Sequence, residues 1–177
     1  MSNEKLHGQT FSTYEIAYLA MTVAASVVGR LMFQFIPNVQ PMTAIFLIIT
    51  MQLGIARGLI VNVLSLLVTN LYMGMGVWTI SQICSFSLVI LLMGLLAKVP
   101  FFRKYKSLQV IYSVFAGFLY GFVISIFDYK VYGMTSFWPY YLAGVSFDTM
   151  HAVGNGIFYL LLAPVFNKLV QKISPQK

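Results

Sequence analysis

Residues 42–73 read MTAIFLIITMQLGIARGLIVNVLSLLVTNLYM, an apolar run whose single charge is Arg57. As one helix it would be roughly 48 Å long at 1.5 Å per residue, well beyond the ~30 Å hydrocarbon core of a bilayer. Gly54 and Gly58 flank Arg57, and glycines beside a lone charge mark a reversal of the chain. Divided there, the run becomes two short spans, about 41–56 and 58–73, that need little tilt.

Four more spans follow outward from this hairpin, at about 13–35, 79–97, 108–128 and 139–168, the last overrunning the bilayer. The expectation is an all-α membrane protein: one domain over residues 1–177 with six transmembrane helices and both termini cytoplasmic. The charges test it. Cytoplasmic segments then hold Lys5, Arg57, the cluster Lys98, Arg103, Lys104 and Lys106, and the tail Lys168, Lys172 and Lys177, while the outer loops hold Lys130. Removing the turn at Arg57 would put the four-residue basic cluster outside, against the positive-inside tendency.

Composition agrees with the spans. The chain is 59% hydrophobic and 8% charged, where soluble domains carry about a quarter charged residues. The net charge of +7 does not mark a nucleic-acid binder, because the basic residues fall where a membrane would put them. Cys84 is a lone thiol inside an apolar stretch and gives no redox compartment. The polar start, Met1 to Tyr14, precedes an apolar stretch of spanning length, so no cleaved signal is expected. No internal repeat is visible, which counts against an inverted-repeat carrier.

Polar groups inside a membrane are costly and need a partner or a task. Arg30 lies within the first apolar stretch, just before Ile36-Pro-Asn-Val-Gln-Pro41, an uncharged loop stiffened by two prolines and carrying the amides of Asn38 and Gln40. In span six, Asp148, His151 and Asn155 share a helical face, suggesting a cavity open to the outside, with Trp138, Tyr140 and Tyr141 at its outer end. Asp148 pairing with Arg30 to satisfy two buried charges is the simpler alternative. One histidine and one carboxylate fall short of a metal-ligand set, so no metal is expected.

Span three contributes Asn62, Ser65, Thr69 and Asn70, of which Asn62 and Ser65 are explained by hydrogen bonds between helices. After it, the loop Tyr72-Met-Gly-Met-Gly-Val-Trp78 leads to Gln82. Trp78 and Gln82 could stack on and hydrogen-bond a flat ligand, or Trp78 could be an interfacial belt residue. Asp128, Tyr129, Lys130 and Tyr132 form a charged outer loop, and Glu15 favours a helix N-terminus. Ala17, Ala20, Ala24, Ala25 and Gly29 make a strip of small residues in span one, with Ala20-x-x-x-Ala24 at its centre. Such a strip lets another helix approach closely, within this protein or from a partner. No phosphate-binding loop, HExxH, Gly-x-Ser-x-Gly or pair of carboxylates at catalytic spacing is present, so the chain carries neither an energy source nor the motifs of an enzyme.

In size, six-span topology, the Ala20-x-x-x-Ala24 strip and the loop Ile36-Pro-Asn-Val-Gln-Pro41, the chain resembles the substrate-binding S-components of energy-coupling factor (ECF) vitamin transporters. The segment Gly76-Val-Trp-Thr-x-x-Gln82 looks like the third loop of a subset of them. The resemblance implies a substrate-specificity subunit of the cell membrane, not an enzyme and without a cofactor. It would capture a water-soluble vitamin in an outward cavity under a first-loop lid that includes Asn38 and Gln40. It would dock through Ala20 and Ala24 onto a membrane coupling protein carrying two cytoplasmic ATPases.

The loop with the Trp-Thr-x-x-Gln segment looks most like the cobalamin group. Pantothenate, queuosine precursors and folate are the other vitamins. A corrinoid would take Trp78, Tyr132 and Trp138 against its faces and Asn38, Gln40 and Gln82 at its edge, with Arg30, Asn70, Asp148 and His151 completing the expected ligand set. Outside the resemblance stand a proton-coupled carrier using Asp148 and His151 as a relay, and a lipid-acting enzyme or structural protein.

Overall fold

The computed structural model describes residues 11–173, so the expected cytoplasmic Lys5 and Lys177 and residues 1–10 of the polar start lie outside the described residues. The described chain is helical: α1 (Thr13–Met32), α2 (Met42–Leu53), α3 (Ile55–Met73), α4 (Trp78–Leu96), a short α5 (Pro100–Lys104), α6 (Lys106–Val131) and α7 (Phe137–Ile173). Five of these are long and apolar enough to cross a membrane, and α2 is shorter. Its 12 residues reach roughly 18 Å, too little to cross the core alone.

The chain does reverse where the sequence suggested, but at Gly54 rather than at Arg57. Gly54 takes φ 91°, a conformation that L side chains rarely adopt. A Cβ at Gly58 would strike the side chain of Thr50, eight residues earlier and on the other side of that turn, so α2 and α3 form a tight hairpin. Arg57 stands one turn into α3 and donates from Nε to Glu15 Oε1 at 2.7 Å. Glu15 therefore does more than favour a helix start: it ties α1 to α3.

α2 is apolar on all sides and sits at the centre, with every residue from Met42 to Thr50 buried. A helix hydrophobic all round belongs in an interior. Around it, Phe46, Phe86 and Tyr120 pack ring against ring, at 5.5 Å and then 4.1 Å between centroids, with His151 5.3 Å beyond Tyr120. On the outside, Leu64, Leu71, Ile80, Leu91, Ile111, Phe115, Val153 and Leu160 are exposed, as lipid-facing residues must be.

At one end of the bundle, Tyr18 donates to Gln52, which donates to Asn167, joining α1, α2 and α7. The basic ends of α5, α6 and α7 lie on this side, and the positive-inside tendency makes it cytoplasmic. The opposite, outer end carries the loop between α1 and α2.

Candidate functional site

The outer loop is built from its own sequence. Pro37 and Asn38 are the middle residues of a turn closed by Val39 N donating to Ile36 O at 3.3 Å. Proline presets the first central position, and Asn38 takes the positive φ of 58° that the next requires. The turn is then fastened on two sides. Gly29 leaves room for the Pro41 ring, which a Cβ there would strike, and Gly154 on α7 receives Val39. Asn38 Nδ2 donates to Phe147 O at 3.0 Å.

His151 completes the fastening. Nδ1 lies 3.1 Å from Asn38 O, which only accepts, so Nδ1 carries a proton. Nε2 lies 3.0 Å from Thr43 Oγ1 and accepts from it when the ring is neutral. One ring thus links the loop, α2 and α7. Among the described residues no hydrogen bond joins it to Asp148.

Between the loop and the outer ends of α1 and α3 is a cavity of about 190 Å³ lined by Arg30, Phe33, Gln34, Ile36, Asn38, Val39, Gln40 and Met73. Arg30 Nη1 donates to Thr69 Oγ1 at 2.7 Å and to Asn70 Oδ1 at 3.0 Å. Asn70 is 1% exposed and uses its amide nitrogen on Thr79 Oγ1 at 3.0 Å and Gln82 Oε1 at 2.8 Å. The chain Arg30–Asn70–Gln82 therefore crosses from α1 through α3 to α4.

Magnitudes show why it is needed. On insertion scales an arginine at a helix centre in the bilayer costs about 2.5–3.5 kcal/mol, and Arg30 in the last turn of α1 lies away from that centre. The helix dipole returns only about 0.3–1 kcal/mol. Hydrogen bonds from the cation, about 1.5–3 kcal/mol each, make up the difference.

The sequence-derived residues divide accordingly. Arg30, Asn38 and Gln40 line the cavity, with Asn70 and Gln82 behind Arg30. Arg30 is not paired with Asp148; its partners are neutral residues of α3. Asp148, 7% exposed, has its carboxyl against the backbone of Gly121, where a Cβ would strike it.

The polar strip of α7 does not line an open cavity. His151 and Asn155 are 1% and 0% exposed: the rings of Phe86 and Tyr120 pack against His151, and Ser113 of α6 donates to the Asn155 carbonyl. Trp78 lies against Gly76. Trp138 joins Phe137 and Tyr141 in a cluster of rings, and Tyr132 caps α6; these three do not line the cavity under the loop. Gln34 was missed; it lies in the turn just after α1, and the turn brings it to the cavity beside Arg30. Thr43 and Thr79 were missed too, since hydroxyls in apolar helices carry no signal of their partners.

At the inner half of α1, Tyr18, Leu19, Thr22 and Ser26 face the bundle and are buried, while Ala17, Ala20, Ala24 and Ala25 are exposed. Of the strip, Gly29 packs against Pro41, while the four alanines stay exposed. An apolar groove of about 380 Å³ runs along one side of it, between α1 and α7, and one of about 210 Å³ along the other, between α1 and α3.

No curated protein and no solved structure matches the chain. A family model does, that of the ECF transporter substrate-specific component, over residues 15–173. Such components are binding subunits of transporters rather than enzymes, working with an energy-coupling module in the cell membrane. That match covers every long helix together with the loop, its cavity and the exposed alanine strip, and the chain belongs to the family of ECF transporter substrate-specific components.

Proposed function

We propose that this subunit binds a water-soluble vitamin in the outer cavity, beneath the loop of residues 33–41, and hands it inward with the coupling protein and its two ATPase subunits. The observation that carries this is the construction of the loop. Gly29, Phe147, Gly154 and His151 hold its two faces, while Arg30, Asn38 and Gln40 turn toward one cavity. In this reading His151 positions the lid and does not touch the ligand. Ala20 and Ala24 form the surface that meets the coupling protein, supported by their exposure between two apolar grooves.

The vitamin is a finer matter. Resemblance of the loop and of Trp78-Thr-x-x-Gln82 favours cobalamin or a related corrinoid. The cavity favours a smaller vitamin, such as pantothenate: its 190 Å³ falls below the ~300–1,000 Å³ of pockets for drug-sized ligands, and a corrinoid is larger than those. A corrinoid therefore requires the loop to lift away from α7, breaking the Asn38 contacts.

Mass spectrometry of small molecules released from the purified chain decides between them, and a corrinoid also colours the preparation. Finding no released or added vitamin bound to the chain would sink the proposal. So would full uptake by cells that make this chain without a coupling module.

A further inference from the structure

Arg30 is held in place but not neutralised. Its Nη1 is occupied by Thr69 and Asn70, whereas Nε and Nη2 bond no protein group among the described residues. Its hydrogen-bond partners are neutral, and among the described residues no carboxylate pairs with it. The cavity it lines offers the amides of Gln34, Asn38 and Gln40 and no acidic side chain.

We propose that the ligand of this cavity carries an anionic group, a carboxylate or a phosphate ester, that lies on the Nε–Nη2 edge of Arg30. The inference rests on the vitamin-site reading above and narrows the ligand to a chemical class. A guanidinium keeps its charge in proteins and presents paired N–H donors along each edge, a match for two oxygens of one anion. With one donor nitrogen consumed by α3, the side chain cannot swing away, so the free edge is aimed before the ligand arrives. A neutral ligand would cover the cation without compensating it, which a partly desolvated charge tolerates badly. The neutral amides around the cavity suit the uncharged remainder of the molecule.

The test compares probes that differ in the charged group: pantothenate against pantothenol, nicotinate against nicotinamide, biotin against its amide, and riboflavin 5′-phosphate against riboflavin. Equilibrium binding is measured on the purified full chain in detergent. The anionic member of one pair is expected to bind about a hundredfold more tightly than its neutral counterpart. Arg30→Gln should erase that preference, and Arg30→Lys should restore part of it.

A neutral member that binds as tightly as its anionic partner overturns the inference, as does Arg30→Gln with unchanged affinity for the anion. So does a tightly bound molecule without negative charge released from the purified protein, and that result leaves the vitamin-site reading standing. Failure of every probe, with nothing released, removes both. The probe comparison needs only the native chain, so a misfolded Arg30 variant does not spoil it.

Discussion

The pairs Gly117/Gly121 and Ala20/Ala24 each set two small residues four apart on a long helix, and they have opposite fates. Gly117 and Gly121 of α6 are buried against α7, where a Cβ at Gly117 would lie 2.5 Å from the Ala152 backbone and one at Gly121 would strike the Asp148 carboxyl. Ala20 and Ala24 of α1 are exposed. In lipid, helices gain little from hiding apolar surface, so close packing of small residues drives association. The first pair is consumed in folding. The second is left for something else, because α1 meets the bundle through Tyr18, Thr22 and Ser26 instead.

Substitutions can break this contrast, and the largest effect belongs to Gly117. Gly117→Leu forces a branched side chain into backbone, so the α6–α7 contact should be lost at a cost of at least about 3 kcal/mol. Yield of monodisperse protein and its unfolding midpoint in detergent measure it; a native midpoint would refute the close approach. Next comes Ala24→Trp, with Ala20→Trp beside it. Folding and ligand binding should survive while uptake with the coupling module falls by roughly tenfold or more, equal to about 1.4 kcal/mol of docking. Undiminished uptake in both variants would show that the strip is not the docking surface.

Gly121→Ala sharpens the comparison, because what it meets is a side chain that can move. It should cost about 1–2 kcal/mol, and Asp148→Ala in the same protein should recover most of that in a double-mutant cycle; additive losses would mean that the carboxyl is not what it strikes. Ala17→Leu should be nearly silent, within about 0.5 kcal/mol in detergent. A larger loss would place Ala17 in an interior contact after all.

The legible part of the fold was the part written locally. Apolar helices and a reversal near Arg57 are properties of consecutive residues, and the structure keeps both, with α2 shorter than a span and the turn moved to Gly54. The loop was legible for the same reason: Pro37, Asn38 and Pro41 determine its turn wherever it sits. The site was legible only in pieces. Arg30, Asn38 and Gln40 do share a cavity, yet the sequence offered Asp148 as the partner of Arg30 by charge alone. The guanidinium instead found Thr69 and Asn70, some forty residues away on α3.

By itself, then, the sequence determined a multi-helix membrane protein with a stiff outer loop, an arginine that needed compensation and small residues suited to close approach. Tertiary structure alone decided that the strip Asp148–His151–Asn155 is buried against α6, with His151 also behind Phe86, that His151 pins the loop, and that α6 rather than α1 buries its small pair. The reason is physical. Hydropathy and turn chemistry act between neighbours along the chain, whereas the partner of a polar group depends on which helix faces meet, and several faces here were polar or small enough to compete.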